Sequence, residues 1–388
     1  MAENAVDVFV DQQQVGTISR SETEQDAYLF GYQPGCLDQN AVSLTMPVVA
    51  DQYDSMSFLH PIFEMNLPEG ALRERLERMF AKTVRDFDAL SLLDIVGRSQ
   101  IGRLRYATNS AAPEAVPAED MGNLLAYRGT EDLFASLFER FARYSGISGM
   151  QPKVLIRDAA VALDKVTDRG ATHIVKSFNP QEYPELAANE YFCMRAAHHA
   201  GLPTANVQLS ENRQILAVER FDRMPDGRYL GFEDFCVLSG RRSNGRYSSS
   251  YEALAKQISV FVSPEHAPAA MRQLFGMVAL SCYVRNGDAH LKNFAILYEA
   301  PGENVRLAPV YDMLSTAPYM PKDVMALEMG GAKSYPTQKL LIDFARNACG
   351  LSKRQTALVL EQVVQGVEVA KAEIQCYAEK HTDFEPMA

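Results

Sequence analysis

No stretch of this 388-residue chain approaches the roughly 20 consecutive apolar residues that a membrane-spanning helix needs, so no membrane-embedded segment is expected. The opening Met1-Ala2-Glu3-Asn4-Ala5 lacks the basic and apolar regions of a secretory signal, which points to the cytoplasm. Paired cysteines are missing as well. Cys36, Cys193, Cys236, Cys282, Cys349 and Cys376 are scattered without any close spacing. That excludes a disulfide framework and a cysteine-built zinc site, and fits buried thiols in a reducing compartment. Nor is there an excess of basic charge. Lys and Arg number 38 against 49 Asp and Glu, a formal net charge of −11. Proteins that grip nucleic acid alone need a basic face, so strong DNA affinity would require a partner. An apolar content of 47% excludes wholesale disorder. The length exceeds the usual limit of one hydrophobic core, and two or three packed units are expected.

The most informative stretch is Asn286-Gly287-Asp288-Ala289-His290-Leu291-Lys292-Asn293, followed one hairpin later by Tyr311-Asp312-Met313-Leu314. The apolar run Phe294–Tyr298 reads as a strand, Pro301-Gly302-Glu303-Asn304 carries turn chemistry, and Val305–Val310 returns. If these strands pair, Asn293 and Asp312 land opposite each other at one end of the hairpin, with Asp288 in the loop just before. An Asp, an Asn a few residues on, and an Asp after a hairpin are what protein-kinase-like phosphotransferases use. The first orients or deprotonates the nucleophile, and the other two hold magnesium.

Residues 1–106 read as a mixed α/β unit. Val8-Phe9-Val10 and Val15–Ile18 form a first hairpin, with strands at Tyr28–Phe30, Val42–Met46 and Ile101–Tyr106. A helix runs from the Leu67-Pro68-Glu69-Gly70 start through Phe80, with Leu72, Leu76, Met79 and Phe80 as its apolar positions. The Ala- and Pro-rich stretch that follows is a linker, taken as residues 107–130. Residues 131–222 form a second unit. It begins with an amphipathic helix marked by Leu133, Leu137, Phe138 and Phe141, and continues with the loop Ser145-Gly146-Ile147-Ser148-Gly149-Met150-Gln151-Pro152-Lys153 and the strand Val154–Ile156. Such a loop either cradles phosphate oxygens with its backbone N–H groups or is a tight helix-to-strand turn.

The return strand, His173–Phe178, carries Lys176 in an apolar run. Lys176 is either an edge-strand residue reaching water or a buried ammonium that needs a partner. On the helix that begins at Pro184 and ends at Gly201, Leu186, Glu190, Cys193 and Ala197 share one face, which makes Glu190 a carboxylate on a buried stripe. A strand lysine paired with a following helix glutamate is the arrangement that aims lysine at ATP phosphates. His198 and His199 read as ordinary last-turn residues. The strand Gln214–Val218 leads into Glu219-Arg220-Phe221-Asp222-Arg223, either a kinase-type hinge whose Glu219 and Phe221 backbone reads adenine, or a solvated strand end. From 223 to 388 the chain is mostly helical: Ser250–Phe261, Ala269–Arg285, Leu340–Ala348 and Arg354–Glu379. Ser239–Ser250 reads as a mobile or solvated loop, although Arg241, Arg242 and Arg246 could touch phosphate there.

The SGISGMQPK loop, HIVK strand, ANEYFCMRAA helix, VERFDR hinge, NGDAHLKN loop and YDMLST segment occur in one order and at separations that resemble the HipA family of bacterial toxin serine/threonine kinases. FEMNLPEGALRERL resembles that family's N-terminal accessory subdomain, so the likeness covers nearly the whole chain. The resemblance implies an α+β, bilobal, protein-kinase-like fold with a β-rich N-terminal part and a mostly helical C-terminal lobe. It implies Asp288 as catalytic aspartate and Asn293 and Asp312 as magnesium ligands. Nucleotide contacts would come from Lys176, Glu219 and Phe221, with Gly149, Gln151, Lys153, Glu190 and His290 around them. Ser148 matches the family's autophosphorylated serine, whose modification flips the loop outward and disables ATP binding. The implied partners are a HipB-like helix-turn-helix antitoxin, operator DNA only through that antitoxin, and a cytosolic protein substrate, by analogy an aminoacyl-tRNA synthetase.

Three features depart from kinase patterns. The chain has no G-x-G-x-x-G, H-R-D or D-F-G motif, so only the metal and base roles carry over. Where some relatives carry a second phosphoacceptor serine there is Gly146, which leaves Ser148, with Ser145 as an outside candidate. Asp288-Ala289-His290 is less acidic than the loops of some relatives. Two other classes remain open: a catalytically idle scaffold that holds the antitoxin and reinforces operator repression, and a metal phosphoesterase built on Asp288, His290 and Asp312. The latter lacks the further ligands of a two-metal site.

Overall fold

Val6, Val8 and Val10 alternate with half-buried neighbours along β1 (Ala5–Val10), the period-two pattern of a strand with one face in a core. A turn with Asp11 at φ 55° reverses the chain into β2 (Gln13–Arg20). With β3 (Tyr28–Tyr32), β4 (Tyr53–Ser55) and β5 (Leu104–Ala107) these make a five-stranded antiparallel sheet, order β4-β3-β2-β1-β5. The structure, a computed structural model, describes residues 5–21, 27–55, 58–80, 84, 87–108, 116–128, 133–149, 151–160 and 170–384.

The sequence reading is revised at three places in this half. Val42–Met46 is not a strand but a turn closed by a Ser43–Met46 bridge. The buried Glu233 carboxylate draws it out of the ladder, accepting from Ser43 Oγ at 2.6 Å and Leu44 N–H at 2.9 Å. The strand expected from Ile101 starts only at Leu104, because Gly102, at φ 80°, donates its N–H to Asp222 at 2.7 Å. The expected linker 107–130 is partly folded. β6 (Ala118–Glu119) pairs in parallel with β7 (Lys153–Asp158), and Asp120 caps the Met121–Leu125 helix. Val116, Met121 and Leu124 are buried there, apolar anchors that a composition count passes over. Residues 109–115 and 129–130 of that stretch lie outside the described residues.

β6 and β7 continue with β8 (His173–Ser177), β10 (Ile215–Glu219) and β9 (Val207–Leu209) into a second sheet, order β6-β7-β8-β10-β9. Alternation along β10 joins two cores. Ile215 and Ala217 pack with the first sheet and β7, while Leu216 and Val218 face the helical half. The N-terminal unit and the second sheet thus share one apolar core instead of meeting across a polar boundary at 106. β11 (Gly231–Asp234), β12 (Ala295–Tyr298) and β13 (Arg306–Leu307) form a third sheet.

Helices Tyr251–Phe261, Ala267–Tyr283, Gln338–Asn347 and Lys353–Lys380 build the second half. Lys353–Lys380 lies along Leu186–His199 so closely that a methyl at Gly366 would stand 2.6 Å from the Ala196 carbonyl oxygen. His199 and Arg195 both bond Glu373 there, at 2.7 and 2.6 Å. The result is an α+β, two-lobed molecule. Among the described residues no helix is long and apolar enough to cross a membrane.

Candidate active site

The loop after residue 144 is anchored at its start and open at its tip. Ser145 is fully buried: its hydroxyl donates to the Phe141 carbonyl and accepts from Leu155 N–H, both at 2.8 Å. That removes Ser145 as a phosphoacceptor candidate. Gly146 N–H donates to the Ser99 carbonyl at 2.9 Å, and the Gln100 side chain fills the space a Cβ would need. A side chain at 146 would collide with Gln100, which is the steric reason for the glycine. Beyond it Ser148, half-buried, and Gly149, at φ 119°, face a cleft between the second and third sheets. Gln151 and Lys153 line the same cleft.

Lys153 and Lys176 are direct cross-strand partners in the β7–β8 ladder, and both line this cleft. Lys176 is 4% exposed, with Nζ 2.5 Å from Glu190 Oε1 and 3.1 Å from Asp312 Oδ1. It is therefore not an edge lysine reaching water. Burial opposes its charge, but Asp312 and Glu190 outweigh burial and raise its pKa above that of an ordinary lysine. Burial raises the Glu190 carboxyl despite Lys176. Glu190 Oε2 is buried without a hydrogen-bond partner. Asp312 moves the other way: burial would raise it, but Lys176 and Lys153 hold it below the usual carboxylate range. Lys153 is pushed down to about 8 by burial and by the Lys176 charge. Two ammonium groups and an ionised aspartate at one wall suit a polyanion with its counter-ion.

Opposite stands the hairpin of β12 and β13. Asn293 Nδ2 donates to Asp312 Oδ2 at 2.9 Å, and its Oδ1 accepts from His290 N–H at 2.9 Å. Asp288 is 44% exposed at the mouth, its loop held by Asn286, whose Oδ1 accepts from Asp288 N–H at 3.0 Å. Burial raises the Asp288 carboxyl to about 6. His290 lines the cleft and is pushed down to about 4 by burial, so it is neutral at pH 7. Phe221 also lines the cleft, its ring 5.6 Å from that of Tyr311. Glu219 does not. It is exposed, its N–H donates to the Asn206 carbonyl and its carboxylate accepts from Asn206 Nδ2. Alternation along β10 puts it on the face opposite Val218, which lines the cleft, so Glu219 offers a nucleotide at most its carbonyl. The charges beside it are no solvated strand end either: Arg220 and Asp222 form a buried pair at 2.6 Å.

Ser239–Ser250 departs most from expectation. It is not merely solvated but tied by its side chains to the N-terminal unit. Ser243–Gly245 is a short 3₁₀ turn, Arg242 reaches Glu64 at 3.3 Å, and Arg246 reaches Glu69 at 2.9 Å. Arg246 and Tyr247 line the cleft, with Tyr247 OH 2.7 Å from Asp288 Oδ1. The sequence signal for these was only an aromatic and three arginines in a polar run. Glu69 also pairs with Lys292 of the loop that carries Asp288 and Asn293. Burial would raise the Glu69 carboxyl, but Lys292 and Arg246 hold it at about 2. The stability this contributes is present above pH 4.5 and lost as pH falls toward 2. Glu69→Gln strands the buried Lys292 and is expected to cost about 3–5 kcal/mol, read as a lower urea midpoint at pH 7; an unchanged midpoint contradicts it.

Among the described residues no group of three His, Cys, Asp or Glu side chains could hold a metal unaided. Asp312 offers carboxylate oxygens, and Asn293, whose Nδ2 faces Asp312 while its Oδ1 accepts from His290 N–H, would add its oxygen once the amide turns. That donor set fits magnesium, which is bound through one or two carboxylates and completes its shell with phosphate and water.

Residues 145–371 match the family profile described as HipA-like C-terminal domain, and residues 6–107 that of the HipA N-terminal domain. The "Putative kinase Y4mE" of Sinorhizobium fredii is 30% identical over 326 residues, 78% of this chain and 75% of its own. The "Serine/threonine-protein kinase toxin HipA" of Shewanella oneidensis is 26% identical over 196 residues, 45% of this chain and 43% of its own. Among solved structures, the Shewanella oneidensis toxin–antitoxin complex of HipA, HipB and its operator DNA matches with a TM-score of 0.70 at 18% identity, covering 99% of this chain and 92% of that one. At that identity the likeness concerns the fold.

Proposed function

Because the chain belongs to the HipA family, we propose that it is an ATP-dependent serine/threonine kinase, the toxin of a toxin–antitoxin pair. The observation that carries this reading is the convergence of Lys176, Asn293, Asp312 and Asp288 on one cleft, with Glu190 buried behind Lys176 and paired to it. An idle scaffold has no use for a buried Lys176 clamped between two carboxylates, since such a cluster adds little stability. In this reading Lys176 and Lys153 bind phosphate oxygens, and Glu190 and Asp312 aim the Lys176 ammonium. Phe221 and the strand end beside it bound the adenine side. Bound magnesium would offset the charge of the phosphates, with Asn293 and Asp312 holding it. Asp288, at the open end, orients the acceptor hydroxyl and takes its proton.

The acceptor class is a serine or threonine of a cytosolic protein, by family analogy an aminoacyl-tRNA synthetase. The proposed partner is a HipB-like helix-turn-helix antitoxin, which would also supply the DNA contacts that a net charge of −11 disfavours for this chain alone. Ser148 is proposed as the self-inactivating phosphosite. It sits in the loop whose tip faces the cleft, and a phosphate adds about 1.5–2 negative charges where ATP phosphates must lie.

Incubation with γ-labelled ATP and magnesium, followed by phosphosite mapping, tests the reading. Label on Ser148 supports it, and no transfer by protein shown to start unphosphorylated would shift the assignment to the antitoxin-binding scaffold. Ser148→Ala is expected to lose that label and to inhibit growth for longer than the wild type. Equal or weaker toxicity would contradict self-inactivation.

A further inference from the structure

Tyr247 has no counterpart in the roles assigned above, yet its phenol makes the one side-chain hydrogen bond shorter than 3 Å that Asp288 receives among the described residues. The hydroxyl donates to Asp288 Oδ1 at 2.7 Å, which leaves Oδ2 for an acceptor hydroxyl. The Tyr247 ring stands edge-on to His290 with centroids 5.0 Å apart. Its backbone is held from both sides. Lys333 Nζ donates to the Tyr247 carbonyl at 3.0 Å, and the neighbouring Arg246 is tied to Glu69 at 2.9 Å. Tyr247 is 41% exposed, so the contact is not a by-product of core packing.

We propose that Tyr247 is a positioning residue for Asp288, fixing one carboxylate oxygen so that the other meets the acceptor hydroxyl. The inference deepens the kinase reading and rests on it. A carboxylate on a half-exposed loop can rotate, and a donor bonded to one oxygen restricts that rotation. The donor also favours the ionised form that must take the proton. Burial raises Asp288, and the bond from Tyr247 and the charge of Arg246 lower it, while Asp312 and Asp323 raise it further. Near the same carboxylate is His290, with Nε2 4.0 Å away. The Tyr247 phenol is itself raised above the ordinary tyrosine value by burial and by Asp288, so it remains a neutral donor across the working pH range. Glu69 belongs to the N-terminal unit, so that unit braces the catalytic loop through Arg246 and Lys292.

Tyr247→Phe keeps the ring against His290 and removes only the donor. With γ-labelled ATP and magnesium in single-turnover self-phosphorylation, the variant is expected to be about tenfold to a hundredfold slower at saturating ATP. The ATP concentration for half-maximal rate should stay within about twofold of wild type, because nothing that touches the phosphates has changed. The acid limb of its rate–pH profile should move to higher pH, since a lost donor raises the Asp288 carboxyl. A wild-type rate with an unmoved acid limb would overturn the proposal. A faster variant would overturn it too, showing that the phenol blocks the acceptor's place. Absence of transfer in the wild type would instead sink the kinase reading, and it is seen before any variant is compared.

Discussion

Asp312→Asn is expected to abolish phosphate transfer, because Asp312 serves both walls of the cleft. One carboxylate oxygen lies 3.1 Å from Lys176 Nζ and the other accepts from Asn293 Nδ2 at 2.9 Å. Lys176 and Lys153 keep the carboxyl ionised despite burial. A neutral amide therefore removes the anion proposed to bind the metal and one of the two carboxylates that hold Lys176 in place. Loss of one preorganised electrostatic contact at a reacting centre typically costs about 10²–10³-fold, and two functions lost together should exceed that. Label from γ-labelled ATP should fall to background in this variant. The rise in melting temperature produced by magnesium and ATP should also shrink, since that rise follows ligand affinity. Undiminished incorporation would remove Asp312 from the site.

Asp288→Asn should separate binding from chemistry. Asp288 is half exposed at the mouth of the cleft, and its side chain pairs with Tyr247 instead of with the lysines, Asn293 or Asp312. Turnover should drop by about 10²–10⁴-fold, the usual contribution of a positioned proton acceptor, while the stabilisation by magnesium and ATP stays close to that of wild type. The contrast with Asp312→Asn makes the pair informative. If ATP stabilises Asp288→Asn no better than Asp312→Asn, Asp288 has a structural part in nucleotide binding and the division of roles drawn above is wrong.

Local pattern alone was enough for much of this chain. Period-two burial marks β1, short continuous apolar runs mark β7, β8 and β10, and period-3.6 spacing marks the long helices, because each pattern is a property of a single segment. The same logic singled out Lys176 as a charge in an apolar strand and Glu190 as a carboxylate on a buried helix face. Each is costly to bury alone, so each advertises a partner. The hairpin between Asn293 and Asp312 is legible too, since its turn chemistry lies within twenty residues of both ends.

Contacts between distant segments left no such mark, and tertiary structure decided them. Glu233 bends Val42–Met46 out of a strand from 190 residues away, and Glu69 meets Arg246 across 177. That Lys153 faces Lys176 depends on the register of β7 against β8, and Glu219 is held away from the cleft by Asn206, thirteen residues before it. A composition count reads residues 118–125 as linker, and only the β7 edge they join makes them part of the fold. Tyr247 sits in a run of serine, glycine and arginine whose order comes from ion pairs with the N-terminal unit. The amino-acid sequence determined the family, the reactive groups and the segments that carry them, because periodicity and motif spacing are local. Which groups share the cleft, and which of them face one another, followed only from closing loops of 23 to 190 residues, where the pairing energy resides in geometry that no single segment contains.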